Sequence, residues 1–240
     1  MRQEEIWKKH SATISVSNII HAYHKPCDFQ KEFAEIINSI CIKNNYKKVI
    51  EAGCETGITS MLLDNCLEKH FLDLNDDILV KVKDACKQLN IDGFFNVENM
   101  FFMSYPDNSF DVVFNSGVIE HFNKEDRIII LKEYKRILKP DGAIIVAIPN
   151  HYSFPYRSAY LVKKKLLNGY QWPWPDEYKI YDMKKEIEGS NLKLISRSTL
   201  AKNTIFAHWG FIRPIKKLMQ LSDIVLSYEG YLTVLLIKNK

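Results

Sequence analysis

Apolar positions over the first 45 residues recur at helical spacing, whereas from residue 47 onward they collect into short unbroken runs separated by amphipathic stretches. Phe29, Phe33, Ile36, Ile37 and Ile40 share one helical face, with Lys31, Glu32 and Glu35 between them, so residues 4–45 are expected to be helical. Inside this stretch, His21-Ala22-Tyr23-His24-Lys25-Pro26 is a polar-aromatic break ended by proline, either lying over a ligand pocket or simply connecting helices. Runs at 47–52, 70–74, 93–97, 110–115 and 143–148 predict five strands. The run at 110–115 is of the kind seen in parallel strands covered on both faces. Helical periodicity returns at 58–68, 76–90 and 124–138, the last closed by the turn-forming Lys139-Pro140-Asp141-Gly142. Strands alternating with helices imply a parallel sheet with right-handed crossovers.

After Pro149 the rhythm breaks. Residues 150–181 carry Tyr152, Phe154, Tyr156, Tyr160, Tyr170, Trp172, Trp174 and Tyr178, a stretch too long for a plain connection and therefore read as an insertion or lid. A short helix at 182–189, a sixth strand at 192–200, an amphipathic basic helix at 211–226 and a last strand at 231–238 follow. The apolar run at 232–237 predicts a place inside the sheet for that last strand.

Composition narrows the class. At 240 residues and 46% hydrophobic, the chain has enough apolar content for a large buried core. No run approaches the roughly 18 apolar residues of a membrane span, and residues 1–10 lack the apolar segment of a secretory signal. Cysteines 27, 41, 54, 66 and 86 show no Cys-x-x-Cys spacing, which argues against a metal site or a disulfide framework and suggests reduced thiols in a cytoplasmic protein. Residues 1–150 carry 18 Lys/Arg against 22 Asp/Glu, a net of −4, while residues 151–240 carry 15 against 7, a net of +8. The basic runs at 163–165 and 213–217 suit an anionic substrate, peripheral contact with a membrane surface, or an ordinary solvated face.

Candidate chemistry starts at Val49-Ile50-Glu51-Ala52-Gly53-Cys54-Glu55-Thr56-Gly57, a buried strand entering a glycine-bearing turn before a helix. Such turns cradle nucleotide-like ligands, because glycine allows close approach and the helix start offers free N–H groups. Asp73 lies 22 residues after Glu51 at the end of the second strand. It can accept hydrogen bonds from both ribose hydroxyls, or cap the next helix together with Asn75. Asn99-Met100, after the third strand, offers an amide for an adenine edge and a thioether for its face.

Five segments occur in order: Glu51–Gly57, Phe71-Leu72-Asp73-Leu74-Asn75, Tyr105-Pro106-Asp107-Asn108-Ser109-Phe110-Asp111-Val112-Val113, Ser116-Gly117-Val118-Ile119-Glu120-His121-Phe122 and Arg136-Ile137-Leu138-Lys139-Pro140-Asp141-Gly142. Together they resemble the class I S-adenosylmethionine-dependent methyltransferases, in particular the small-molecule type 11 group. The resemblance covers about residues 45–150, with the sixth and seventh strands completing the pattern. It implies an α/β, Rossmann-like three-layer sandwich with a mostly parallel seven-stranded sheet and an antiparallel last strand. The expected organisation is a single domain over 1–240: helical cap 1–45, cofactor-binding core 46–150, aromatic insertion 151–190, and C-terminal strands with the amphipathic helix 191–240.

The resemblance also implies S-adenosyl-L-methionine as cofactor and S-adenosylhomocysteine as product. By position, Glu51, Gly53, Cys54 and Gly57 would shape the methionine side of the pocket, Asp73 would hold the ribose, and Leu74 would pack on the adenine. Asn99 stands where the family usually has an acidic residue facing the adenine amine, with Met100 beside it. Asn115, Ser116 and Gly117 would line the pocket near the transferred methyl. Glu55 departs from the family's Gly-x-Gly-x-Gly. If its φ is positive, it costs on the order of 1–2 kcal/mol of strain, and its charge could attract the cofactor's cationic groups. A scaffold that binds an adenosyl ligand without catalysis, or serves only structurally, is the alternative reading.

Methyl transfer from a sulfonium is an in-line displacement that depends mainly on proximity, and a hydroxyl or protonated amine acceptor also needs a base. His121 is the first candidate base, set against a structural role for the Glu120-His121 pair; His24, His151 and Tyr152 are weaker ones. Tyr23, His24, Tyr152, Trp172 and Trp174 are the candidate acceptor contacts, suited to a flat or sugar-like small molecule methylated on oxygen or nitrogen. Nucleic acid is not expected as a substrate, because the chain has neither an appended nucleic-acid module nor an Asn-Pro-Pro-Tyr-like or Pro-Cys signature.

Overall fold

Helices open the chain in the computed structural model, which describes residues 3–153, 178–201 and 229–240. The helical stretch expected at 4–45 is three helices: α1 (Gln3–Ala12), α2 (Val16–His24) and α3 (Asp28–Asn44). The breaks have local causes. Ser15 caps α2 reciprocally with Asn18, and Pro26 precedes the start of α3. Asn45 ends α3 in the left-handed conformation at φ 54°.

The strands are β1 (Lys48–Ala52), β2 (Glu68–Asp73), β3 (Phe94–Val97), β4 (Phe110–Ser116), β5 (Leu138–Pro149), β6 (Leu192–Leu200) and β7 (Leu232–Asn239). They form one seven-stranded sheet in the order β3-β2-β1-β4-β5-β7-β6. The pairings from β3 through β5 are parallel, and β7 lies antiparallel to both β5 and β6. The expected sheet is therefore present, and β7 sits inside it, with Val234, Leu235 and Ile237 buried. The strand order reverses direction between β1 and β4, which opens a crevice at their carboxyl ends, where such sheets take their ligands.

Helices α4 (Ile58–Met61), α5 (Asp76–Leu89), α6 (Lys124–Ile137) and α7 (Lys184–Gly189) flank the sheet. On one face, Tyr134 and Ile130 of α6 and Ile187 of α7 pack on Ile50, Val113 and Ile144. On the other, Phe33 and Ile37 of α3 cover Val49, Phe114 and Ile145. A third cluster joins Ile19 of α2 to Cys54, Ile58, Phe71, Ile78 and Val82. Helix α6 is tied to α7 by Arg127, whose guanidinium donates to Glu186 at 2.5 and 3.0 Å with both side chains buried.

Two sequence expectations need correction. The helix expected at 58–68 is a single turn: the N–H of Asp64 donates to Asn38 Oδ1 of α3, and β2 starts at Glu68, whose N–H donates to Lys47. Tertiary partners take the backbone groups that a longer helix would have used. The Lys139–Gly142 segment is not a free turn either, because it belongs to β5 as an irregularity: Leu138 pairs with Phe110, and Ala143 with Val112. Asp111 lies opposite it, accepting the N–H groups of Lys47 and Lys48 at 2.9 Å and pairing with Lys139 Nζ at 2.8 Å.

Most of the insertion at 151–190, with Trp172 and Trp174, the runs 163–165 and 213–217, and the helix expected at 211–226 lie outside the described residues. Among the described residues, no helix is long and apolar enough to cross a membrane, and no cluster of His, Cys, Asp and Glu could hold a metal ion.

Candidate functional site

Strand β1 delivers the chain into a turn folded back on β2. The N–H groups of Gly53 and Cys54 both donate to the Leu72 carbonyl, at 2.8 and 2.9 Å, and the N–H of Gly57 closes the turn on Cys54 at 2.7 Å. Gly53, Glu55 and Gly57 have φ of 79°, 45° and 64°. A Cβ on Gly53 would lie 3.0 Å from Val118 and 3.3 Å from Met100, so only glycine lets the turn pack this closely on those two side chains. At Gly57 the constraint is internal, since a Cβ would lie 2.8 Å from the Phe71 ring on β2.

Glu55 is the left-handed non-glycine residue that the sequence pattern flagged. Its N–H donates to Asp73 Oδ2 at 2.8 Å, and its carboxylate lies 3.1 Å from His10 Nε2 on α1. Asp73 Oδ1 also accepts the N–H of Asn75 at 3.0 Å, and it is Asn75, rather than Asp73, whose side chain caps α5. Burial raises the Asp73 pKa above the usual carboxylate value against these two N–H donors. A carboxylate offers about four acceptor directions, so two remain for hydroxyls. Leu74, beside it, is exposed.

Met100 lies against Gly53, and the Tyr134 hydroxyl stands 3.8 Å from its sulfur. Asn115 donates to that hydroxyl at 2.9 Å, while its Oδ1 is buried with no hydrogen-bond partner among the described residues. Asn115 is therefore linked to the turn through Tyr134 and Met100. Asn99 folds on itself, its Oδ1 accepting the N–H of Phe101 at 3.0 Å. Ser116 ends β4, and Gly117 follows it with φ 72°, where a Cβ would meet only Glu120 Oε1, at 3.9 Å, among the described residues. The Cys54 thiol is buried among Ile19 and Ile58, and burial pushes its pKa well above the ordinary value. Glu51 is buried, its Oε2 accepting the Ser60 hydroxyl at 2.6 Å and the Ser60 N–H at 3.2 Å; burial pushes its pKa up to about 7 despite those bonds.

His121 lies buried in the single 3-10 turn Ile119–His121 after β4. Its ring meets the Trp7 ring of α1 edge-on, centroids 5.3 Å apart. Tyr23 is half-buried on α2 beside the exposed His24. Tyr152 forms a different cluster with Tyr181 and Arg197, where His151 also meets Tyr181. Trp7 and His10 were not foreseen as site residues. Their spacing places them on one helical face, but nothing in the sequence says what that face meets.

Residues 50–146, which contain the turn, Asp73 and the β4 loop, match the family model described as a methyltransferase domain. That segment, about two fifths of the chain, is similar to S-adenosylmethionine-dependent methyltransferases. It is 27% identical over 119 residues to phosphoethanolamine N-methyltransferase 1 of Arabidopsis thaliana, 49% of this chain and 23% of that one. Matched stretches span 41%, 40% and 23% of the first curated relatives' own lengths, less than half in each case. Among solved structures, an S-adenosylmethionine-dependent methyltransferase from Clostridium acetobutylicum superposes with a TM-score of 0.61 at 12% identity, covering 90% of this chain and 94% of that one. Magnesium protoporphyrin IX methyltransferase from Synechocystis, solved with bound S-adenosylhomocysteine, gives 0.59 at 12% identity, covering 88% and 83%. These structural likenesses establish the methyltransferase fold.

Proposed function

We propose that the chain transfers the methyl group of S-adenosyl-L-methionine to an oxygen or nitrogen of a small-molecule or saccharide-type acceptor. The observation that carries this reading is the convergence, at the crevice between β1 and β4, of the Gly53 turn with the spare acceptor positions of Asp73. The residues fit such a ligand. Gly53 lets the turn pack closely on Met100 and Val118, a Cβ at Gly117 would meet only Glu120 Oε1 among the described residues, and Leu74 offers an exposed apolar side chain next to Asp73.

In this reading Asp73 holds the ribose, Leu74, Asn99 and Met100 bound the adenine, and Glu51, Gly53, Cys54 and Gly57 build the methionine side. Ser116 and Gly117 flank the reacting end, with Asn115 supporting Met100 from behind through Tyr134. The cofactor supplies a methyl group on a cationic sulfur with a neutral leaving group, so the protein's task is chiefly alignment. His121 is the proposed base for the acceptor proton, and Tyr23 and His24 the described acceptor-side residues. Cap, core, insertion and C-terminal strands are proposed to work as one domain, a view supported by α2 packing on Cys54 and Ile58. The free cysteines Cys27, Cys41, Cys54, Cys66 and Cys86 support a reducing, cytoplasmic setting.

The non-catalytic alternative draws on one observation, Trp7 packed on His121. Titration calorimetry with S-adenosylmethionine and S-adenosylhomocysteine tests the cofactor half: micromolar binding is expected, and no binding to folded protein overturns it. Asp73→Ala is expected to weaken that binding more than tenfold, the scale of losing hydrogen bonds to a charged group. Unchanged affinity would remove the ribose assignment. A screen of small-molecule acceptors with wild type and His121→Ala then separates enzyme from binding protein; turnover that survives His121→Ala excludes that residue as the base.

A further inference from the structure

Helix α1 touches the core at three separate elements. Trp7 meets His121 after β4, His10 pairs with Glu55 after β1, and Lys81 of α5 donates to the Ser11 carbonyl at 2.8 Å. The first two contacts lie on the two loops that flank the crevice. Trp7 and His10 stand three positions apart on α1, one helical face, with ring centroids 6.1 Å apart. Behind them, the capped helix α2 is fixed by Ile19, fully buried against Cys54 and Ile58. The segment 3–24 is thus anchored at its base and laid across the crevice at its tip.

Glu55 is costly where it stands. An L-residue at φ 45° is strained, and glycine would remove the strain at once. Its N–H bond to Asp73 comes from the backbone and would survive that replacement. What only the glutamate side chain supplies is the contact with His10. We propose that Glu55 is a positioning residue: through His10 it holds α1 across the crevice, so that Trp7 covers His121 and encloses the adenosyl ligand. This rests on reading the crevice as the cofactor site. The Glu55 carboxylate also raises the affinity of His10 for its proton, with burial opposing, which strengthens the pair.

Hydrogen exchange of the unliganded chain reads the latch without any ligand. Glu55→Gln is expected to speed exchange of the α1 amides about two- to fivefold, the range for a partly exposed ion pair, and to leave α6 unchanged. Glu55→Gly should do the same while keeping or raising global stability, which separates an unlatched helix from a damaged fold. His10→Glu combined with Glu55→Lys, the reversed pair, should restore slow exchange. Equal α1 exchange in wild type and both single variants overturns the latch. In stopped-flow displacement, S-adenosylhomocysteine should leave Glu55→Gln faster than wild type by a similar factor. Loosened α1 with an unchanged off-rate overturns the enclosure. Absence of S-adenosylhomocysteine binding to wild type overturns the proposed function and the enclosure with it, whereas the exchange result still decides whether Glu55 holds α1.

Discussion

Glu51, in β1, and Glu55, in the turn that follows, sit four positions apart, yet their environments are opposite. Glu55 reaches the partly exposed His10 ring, and Glu51 is buried with only Ser60 donating to it among the described residues. The physical consequence for Glu51 is a folded-state pKa of about 7 against an ordinary 4.5. Because the folded chain resists ionising Glu51, the contribution of this residue to stability is fully present below pH 4.5 and is lost as pH rises toward about 7. Relative to Glu51→Gln, which keeps an acceptor for Ser60, wild type should lose on the order of 2–3 kcal/mol across that window, measured by urea unfolding. A constant difference between the two proteins would show that Glu51 ionises as freely folded as unfolded.

At the scale of elements, the segments that carried the family resemblance do not all serve the proposed site. The Ser-Phe-Asp segment is structural: Asp111 fastens the start of β1 to the irregular start of β5. Burial raises the affinity of Asp111 for a proton, but Lys139 and the two N–H donors more than reverse this and hold its pKa below the usual value. Its contribution is therefore present above the ordinary carboxylate pKa and fades as pH falls through that range. Asp111→Ala should cost roughly 2–4 kcal/mol near neutral pH in chemical unfolding, since it strands two N–H groups. A cost below 0.5 kcal/mol would mean that water replaces the carboxylate. Helix α4 teaches the converse. Its apolar pattern was legible at 58–68, but Asn38, far back in the chain, captured the backbone that the pattern had assigned to helix.

For the whole molecule, the buried pair of Arg127 and Glu186 joins the core to the part of the chain that follows the insertion. Glu186→Ala leaves the guanidinium buried with only the Phe122 carbonyl at 2.7 Å and should destabilise by about 3–5 kcal/mol. Replacing both partners with apolar residues of similar volume should recover most of that loss. If the single and double variants unfold alike, the pair makes no net demand on the fold.

Residue spacing was enough for the local layers: strands from short apolar runs, most helices from their periodicity, the glycine turn, and the acidic residue at the end of the second strand. These rest on backbone sterics and neighbouring side chains, which spacing records directly. Even the strain at Glu55 was legible, because a position that wants glycine reveals any other residue. Tertiary structure alone decided that Asn75 rather than Asp73 caps α5, that Gly57 answers to Phe71, and that Asn115 reaches the turn through Tyr134. It alone also decided that Trp7 meets His121 and that His10 meets Glu55. Contacts between residues so far apart in the chain leave no periodic trace in it, because each depends on where the packed sheet brings two distant surfaces together.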